Sequence, residues 1–425
     1  MCIRDSGTPL EISLDNGLDT LAYKIVPTEV PSGSSFEVEL YLTPRKSIQH
    51  DYRPFFQLQD TANLIWNLNP HETVPPRWHR EPPETQYWSV GHYGQFARKY
   101  QVLSGTPPGA YHLYATLFDA HTLETSKIIS SDGAPLSDRV DLGQVTVVRP
   151  TIPPPVTTLE MQVETETRLT SEITLLGGST DRQQANPGDL LTITLFFRAD
   201  TVPKTDEYII LALQETDFAA RLQLTPGFAT SNWLKGDVWR GQHTLRLPAN
   251  LPSGEYTWTV RADSTKNDIS YLKKLSITEH ERIYEKPIIT NQTQGKFGQS
   301  IVLVGYSGTL AQMETGDIFE IILVWKASST PDEDMSAFLH LETSDGKLVA
   351  QHDGVPARWS RPTSGWIAGE YIVDPHEITI PSDTKPGTYK LYAGMANRTS
   401  GHRLSVITDS EINDRLLLGQ FLVTP

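Results

Sequence analysis

Two stretches of this sequence combine arginine and tryptophan at a spacing that could bind an anionic or ring-shaped ligand. The pattern V-P-x-R-W-x-R occurs at 74–80 and again at 355–361. Two guanidinium groups can hold a carboxylate or a phosphate through forked hydrogen bonds. The indole between them can stack on a ring or a cation. The candidate ligand-binding residues are Arg77, Trp78, Arg80, Arg358, Trp359 and Arg361.

The same residues could have a purely structural role. An arginine can pack over a neighbouring aromatic ring and so hold a long loop in place. Between the two copies of the pattern lies a similar segment, Leu224–Phe228, that lacks both the arginines and the tryptophan. Loops that vary between related units are where binding residues concentrate. The sequence leaves the ligand-binding and the packing interpretation open.

Other patterns that carry chemistry are absent from the sequence. It contains no G-x-S-x-G, P-loop, H-E-x-x-H or G-x-G-x-x-G motif. His71, His79 and His92 lack metal-site spacing, and the acidic run 332–334 lacks the frame of a calcium loop. We therefore expect no metal, no cofactor and no catalytic residue, although the many carboxylates leave acid–base catalysis open.

Composition narrows the function classes further. The 425 residues carry a net charge of −15, which disfavours binding to a nucleic-acid backbone. No apolar stretch approaches the ~18 residues of a membrane span. The only cysteine, Cys2, lies in residues 1–6, which resemble a translated sequencing adapter, so we expect neither disulfides nor thiol chemistry. On that interpretation an upstream signal peptide or membrane region could be missing.

These residues must be positioned by a module that the chain repeats. A tryptophan, a glycine three residues later, a second glycine and a tyrosine recur at identical spacing in three places. The repeated residues are Trp88, Gly91, Gly109, Tyr111, Trp233, Gly236, Gly254, Tyr256, Trp366, Gly369, Gly387 and Tyr389. Upstream of each tryptophan, a strand pattern ends in a small residue and a turn glycine follows eleven residues later. These pairs are Ala22 and Gly33, Gly177 and Gly188, and Gly305 and Gly316.

The repeats divide the chain into three predicted β-sandwich domains. The predicted boundaries are 1–6 (artefact), 7–148 (first module), 149–158 (proline-rich linker), 159–280 (second module, shortened by about one hairpin), 281–295 (linker) and 296–425 (third module). Short alternating runs punctuated by Asp-Gly and Pro-Gly turns predict strands almost throughout. Units of this size with many short strands are typical of immunoglobulin-like antiparallel sandwiches.

The repeated aromatic residues fit this fold in definite roles. A turn that delivers a tyrosine to the start of a late strand is typical of a tyrosine corner, whose hydroxyl bonds to the backbone just upstream. Trp88, Trp233 and Trp366 could be platforms for sugar rings. However, a residue present at one position in every copy is better explained as a packing anchor.

The third module also carries a family resemblance. Its motifs are Phe297–Tyr306, Thr315–Asp317, Leu323–Trp325, Phe338–Leu341, Asp345–Gly346, Gln351–Asp353, Pro362–Trp366, Pro386–Tyr389 and Gly401–Leu404. Together they resemble the soluble C-terminal region of bacterial membrane glycosyltransferases of the dolichyl-phosphate-mannose mannosyltransferase type. Related modules occur in stand-alone envelope proteins. The resemblance is good over 297–425 and weak elsewhere.

This resemblance implies a place outside the cytoplasmic membrane and an accessory, non-catalytic role. In such enzymes catalysis belongs to a membrane-embedded N-terminal part, whose acidic motif has no counterpart here. We therefore expect an extracytoplasmic tandem β-sandwich region, tethered through a missing N-terminal region, with a glycan or an envelope protein as partner. The alternative is a carbohydrate-binding or adhesive envelope protein that uses the arginine–tryptophan loops. An enzyme of unknown type is a third hypothesis.

Overall fold

The computed structural model describes residues 7–68, 82–265, 270–310, 312–398, 400–408 and 411–424, which form β-strands and connecting loops. Within the strands, buried and exposed residues alternate, as expected when one face of each sheet packs on a core. The strands form three successive modules, each with two main sheets. The predicted all-β fold of tandem immunoglobulin-like sandwiches is confirmed.

Among the described residues, eleven strands lie in the first module, nine in the second and eleven in the third. In the first they are β1 Thr8–Ser13, β2 Leu18–Val26, β3 Glu29–Pro31, β4 Ser35–Pro44, β5 Tyr52–Gln59, β6 Asn67–Leu68, β7 Gly94–Val102, β8 Gly109–Asp119, β9 Ile128–Ile129, β10 Pro135–Ser137 and β11 Val140–Val148. In the second they are β12 Val163–Arg168, β13 Ile173–Thr180, β14 Gln184–Ala185, β15 Leu190–Ala199, β16 Tyr208–Leu213, β17 Ala219–Gln223, β18 Val238–Arg246, β19 Gly254–Ala262 and β20 Ser270–Ile277. In the third they are β21 Asn291–Phe297, β22 Ile301–Ser307, β23 Met313–Glu314, β24 Ile318–Ala327, β25 Met335–Thr343, β26 Leu348–Gly354, β27 Tyr371–Thr379, β28 Gly387–Asn397, β29 Val406–Ile407, β30 Ile412–Asn413 and β31 Leu416–Thr424. Short 3-10 helices cover Thr85–Tyr87, Val156–Thr158, Thr230–Asn232 and Thr363–Gly365.

All three modules share the same arrangement of eight strands, four in each main sheet, and differ in the strands at the sheet edges. In the second, the sheet orders are β12-β13-β15-β18 and β14-β20-β19-β16-β17. The chain leaves β13 in one sheet and crosses to the other, where β14 pairs in parallel with the last strand, β20. The pairs β3 with β11 and β23 with β31 repeat this parallel contact in the other modules. In each module the third strand therefore pairs with the last one, in the sheet opposite to the first two strands.

The small residue found eleven positions before each turn glycine lies at a β-bulge. The pairing register shifts between Thr20 and Ala22, between Leu175 and Gly177, and between Leu303 and Gly305. A Cβ added to Gly305 would lie 2.7 Å from the carbonyl oxygen of Asn291, on the neighbouring strand. The bulge thus explains why only a small side chain fits this position.

The third module begins earlier than the predicted boundary at 296. Strand β21 starts at Asn291 and pairs with β22. Its side chains alternate, with Gly295 and Phe297 buried while Gln292 and Lys296 are exposed. The sequence prediction failed here because the first five residues of the strand are polar or glycine, which is also the composition of a linker.

The first and second modules are joined by direct contacts. The backbone nitrogen of Arg240 donates to the carbonyl oxygen of Gly105 at 2.7 Å, and the Gln242 amide donates to the carbonyl oxygen of Ile65 at 3.1 Å. Arg149, at the start of the proline-rich linker, lies 3.3 Å from the carboxylate of Asp237. The linker is thus fixed to the second module.

The junction of the second and third modules contains a buried ion-pair network. Glu370 is completely buried, and its carboxylate accepts hydrogen bonds from Arg361 and, at 2.7 Å, from Arg282 of the connecting segment. Ser364 donates to the carbonyl oxygen of Gly188 in the second module at 3.0 Å. Arg282 therefore joins the connecting segment to the third module, and Ser364 joins the third module to the second.

Candidate functional site

The repeated tryptophans are packing residues. Trp233 and Trp366 are fully buried, and Trp233 packs on Phe197 with ring centroids 6.2 Å apart. Trp88 is partly buried and lies 5.9 Å from the ring of Phe96. A fully buried indole has no face for a sugar, so the two copies with complete burial cannot be platforms. The glycines three residues after the tryptophans have φ angles between 85° and 88°, which glycine adopts without strain: Gly91, Gly236 and Gly369.

A threonine three residues before each tryptophan fixes this segment to the opposite sheet. Thr363, which is fully buried, accepts a hydrogen bond from the backbone nitrogen of Met335 at 2.9 Å and donates to the carbonyl oxygen of Glu333 at 3.0 Å. The same reciprocal pair of bonds is made by Thr85 and Thr230. Sequence reasoning missed these residues, although the pattern T-x-x-W-x-x-G occurs in all three copies.

The repeated tyrosines form the predicted corners. Each hydroxyl donates to the backbone carbonyl four residues upstream, at 2.9, 2.9 and 2.7 Å for Tyr111, Tyr256 and Tyr389. A Cβ on Gly109, Gly254 or Gly387 would lie 3.6 to 3.9 Å from the ring, an ordinary van der Waals distance, so the ring itself does not exclude a larger residue there. These residues hold the fold and leave no group free for a ligand.

The arginine–tryptophan loop of the third module is a left-handed turn. Ala357, Arg358 and Trp359 have φ angles of 56°, 52° and 68°. Each such residue costs roughly 1–2 kcal/mol when it is not glycine. The turn is closed by hydrogen bonds from the nitrogen of Trp359 to the oxygen of Val355, and from the nitrogen of Arg361 to the oxygen of Pro356, both 3.0 Å long. Strain of this kind persists only where surrounding contacts enforce it, and it clusters at functional sites.

The enforcing contact is a buried carboxylate, that of Asp374. It accepts hydrogen bonds from the backbone nitrogen of Ala357 at 2.8 Å, from Nε1 of Trp325 at 2.9 Å and from Nε2 of His376 at 2.9 Å. The other ring nitrogen of His376 lies 2.9 Å from Nδ1 of His352. Burial, and then the nearby His376, lower the pKa of His352. A chain of polar groups thus links the strained turn to a half-exposed histidine.

Sequence reasoning also missed this carboxylate and its histidine partner. Asp374 and His376 occupy inward positions of β27, between the buried residues Ile372 and Ile378. A polar residue at an inward position of an alternating strand is the signal that could have identified them. Such groups stay inside a core only when they are hydrogen-bonded.

The two arginines of the loop do not face a common ligand. Arg361 points into the module junction, where it bonds to Glu370. Arg358 points to solvent and lies 3.1 Å from Glu320 and 3.5 Å from Glu377. Both guanidinium groups are therefore already matched with carboxylates, and the clamp of two arginines suggested by the spacing is not formed.

Trp359 is the exposed member of the loop. Trp359 is 62% exposed, whereas Trp366, the repeated tryptophan of the same module, is fully buried. The Arg398 guanidinium lies over its ring, 5.3 Å from the centroid. A Cβ on Gly354 would lie 3.2 Å from the ring, so the indole also contacts the end of β26. An exposed indole on a rigid turn can stack on a sugar ring or another flat group.

The other copy of the loop, with Arg77, Trp78 and Arg80, lies outside the described residues, as do His71 and His79. Within the described part of the chain, no group of three or more histidine, cysteine or acidic residues could hold a metal ion. Across the same residues, no helix has the length and apolar character needed to cross a membrane.

Comparisons with known proteins identify neither a family nor a function for this chain. No protein-family model and no curated protein matches the sequence. The three N-terminal domains of the highly immunogenic outer capsid protein (Hoc) of bacteriophage RB49 are 9% identical at a TM-score of 0.20, covering 97% of this chain and 98% of that one. A protein of Corynebacterium diphtheriae described as membrane-anchored is 10% identical at a TM-score of 0.17, covering 96% and 92%. At TM-scores this low, the likeness carries no functional argument.

Proposed function

We propose that this chain is a non-catalytic array of immunoglobulin-like modules that acts outside the cytoplasm and holds its surfaces at a fixed spacing. This proposal rests on the contacts at the two junctions between modules. Each junction combines hydrogen bonds to main-chain carbonyls with guanidinium–carboxylate pairs. At the second, Glu370 has no exposed surface. Contacts of this kind restrict bending, whereas modules joined only by a flexible linker move independently.

The spacing can be measured between spin labels placed on two modules. In a Cys2→Ser background, cysteines replace Asp217 of the second module and Asp383 of the third, both exposed. We expect a single narrow distribution of distances by electron–electron double resonance. The Glu370→Gln variant should broaden it, because two guanidinium groups lose their shared anion. A broad distribution in the unmodified array would refute the proposal.

The finer proposal is that the array is the accessory C-terminal part of a membrane glycosyltransferase. It rests on the motifs of the third module alone. The test is the sequence of the full-length gene upstream of Gly7. Several apolar spans would support a transferase, whereas a single signal peptide would exclude it in favour of a stand-alone envelope protein.

A second candidate function is glycan binding through Trp359. Its support is an indole that is 62% exposed on a turn made of three residues with positive φ. We expect a glycan array to give signal with the wild-type protein and to lose it with Trp359→Ala. Tyr284→Ala removes an aromatic residue that is 56% exposed on the connecting segment and serves as the matched control. Equal or negligible signal from wild type and Trp359→Ala would rule this function out.

A further inference from the structure

A cleft of about 480 Å³ lies at the junction of the first and second modules. Its walls come from three parts of the chain: the turn Pro31–Ser34 with Leu103 and Ser104, the proline-rich linker around Ile152, and Arg240 of β18. Clefts between domains are frequent ligand sites, and this volume suits a molecule the size of one or two sugar rings. The cleft is distinct from the turn that carries Trp359, because that turn belongs to the third module and no described residue of the third module lines the cleft.

The guanidinium group of Arg240 lines the cleft and, among the described residues, does not use all of its hydrogen-bond donors. Arg240 is only 6% exposed, and its guanidinium lies over the ring of Phe196, 4.8 Å from the centroid. Nε donates to the carbonyl oxygen of Ser104 at 3.2 Å. Among the residues that the structure describes, the two terminal nitrogens make no hydrogen bond. Burial lowers the pKa of Arg240 to about 10, so the group is still charged at neutral pH.

A buried guanidinium with unused donors is costly unless something pairs with it. The acidic residue that acts on it electrostatically is Glu160, which is exposed and forms no ion pair with it among the described contacts. Ser34 and Ser104 also line the cleft. The cleft is thus lined by one buried cation, Arg240, one exposed carboxylate, Glu160, two serines and an apolar wall.

We propose that this cleft binds a small organic carboxylate, with Arg240 holding the carboxylate through its two terminal nitrogens. A carboxylate brings one negative charge to Arg240, whereas a phosphate dianion would bring two into a cleft that Glu160 also lines. The serines and the prolines of the linker suit a ring that carries several hydroxyl groups, such as a uronic acid. This proposal is independent of the function assigned to Trp359.

The test is calorimetric titration of the full chain with methyl glucuronide, methyl glucoside, an N-acetylated dipeptide and inorganic phosphate. We expect methyl glucuronide to bind and the neutral glucoside not to bind. In Arg240→Lys, which keeps the charge but loses the planar fork, binding should weaken about tenfold or more. Binding of the dipeptide alone, with the same dependence on Arg240, would support the carboxylate site and identify its ligand as a chain terminus.

A second variant keeps the test informative if Arg240→Lys disturbs the junction. Ile152 lines the cleft and is 79% exposed, so Ile152→Trp should fill the cleft without altering the core. We expect this variant to abolish binding. Ile288→Trp, at a residue 92% exposed on the other connecting segment, should leave binding unchanged. Equal affinity for the glucoside, equal or tighter binding of phosphate, indifference to both variants, or no binding at all would each overturn the proposal.

Discussion

Arg282 and Glu370 form an ion pair of 2.7 Å across the second junction, and the carboxylate of Glu370 is completely shielded from water. The same carboxylate also bonds to Arg361. An arginine selected from the sequence for its ligand-binding potential is thus part of the ion-pair network at the second junction. Whether Arg358 and Trp359 bind a ligand is therefore a separate question from the role of Arg361.

Replacing Glu370 with Gln should destabilise the junction strongly. Removing one partner of a buried ion pair leaves uncompensated charge and costs about 3–5 kcal/mol. Amide hydrogen exchange of the segment 364–372 measures this as a lower free energy of local opening. Glu377→Gln is the matched control, because its side chain is 61% exposed and such surface pairs contribute less than about 1 kcal/mol. Similar exchange in both variants would contradict the prediction.

Replacing Gly188 with Ala should separate the second and third modules. Gly188 has a φ of 86°, and a Cβ there would overlap the backbone of Gly365 in the third module. The equivalent turn glycine of the third module, Gly316, has a φ of 91° and nothing within 4 Å of an added Cβ. Both substitutions should cost about 1–2 kcal/mol in backbone strain.

Only Gly188→Ala should also change the distance between spin labels on the two modules. Gly316→Ala therefore separates the effect of strain from that of the junction. The prediction fails if the two variants give the same distance distribution.

Replacing Thr363 with Val should destabilise the third module by about 2 kcal/mol, because the buried backbone nitrogen of Met335 loses its acceptor. The substitution keeps the shape of the side chain. Thr384→Val is the control, since the hydroxyl of Thr384 is buried without a hydrogen-bond partner among the described residues. Urea unfolding should show a lower midpoint for the first variant and an unchanged or higher one for the second. The reverse order would refute the role of the T-x-x-W threonine.

The second module should lose stability in weak acid because of His243. Burial lowers the pKa of this histidine to about 4, from 6.5 when it is unperturbed. Between these values the unfolded chain binds the proton and the folded chain does not. Stability is therefore fully present above pH 6.5 and declines towards pH 4, by about 3 kcal/mol in total.

Unfolding in urea at several pH values measures this slope. In His243→Leu, the slope between pH 4 and 6.5 should be smaller than in the wild type. An identical slope would show that His243 does not titrate as inferred.

The sequence predicted the fold well where a residue has the same role in every copy. The corner tyrosines and the buried Trp233 and Trp366 are examples, because identical spacing reveals a shared structural constraint. The sequence did not predict that the chain crosses to the opposite sheet after β2, β13 and β22. The strand that follows the crossing, such as β14, is too short to leave a periodic pattern.

The candidate site was predicted only in part. The loop was found by its arginines and tryptophan, but the direction of each side chain depends on the left-handed turn. That turn is enforced by Asp374, a residue 13 positions beyond the end of the loop. Contacts between distant segments, such as Arg282 with Glu370, have no local signature in one sequence.

The parallel contact between β23 and β31 has a mechanical consequence. Strand β31 is the last strand of the third module, β23 is its third, and the two run in the same direction. Tension along the chain would pull them in opposite directions, so their hydrogen bonds would be loaded together in shear instead of opening one after another. The pairs β3 with β11 and β14 with β20 would be loaded in the same way. Each module thus has one pair of parallel strands whose hydrogen bonds are oriented to resist stretching.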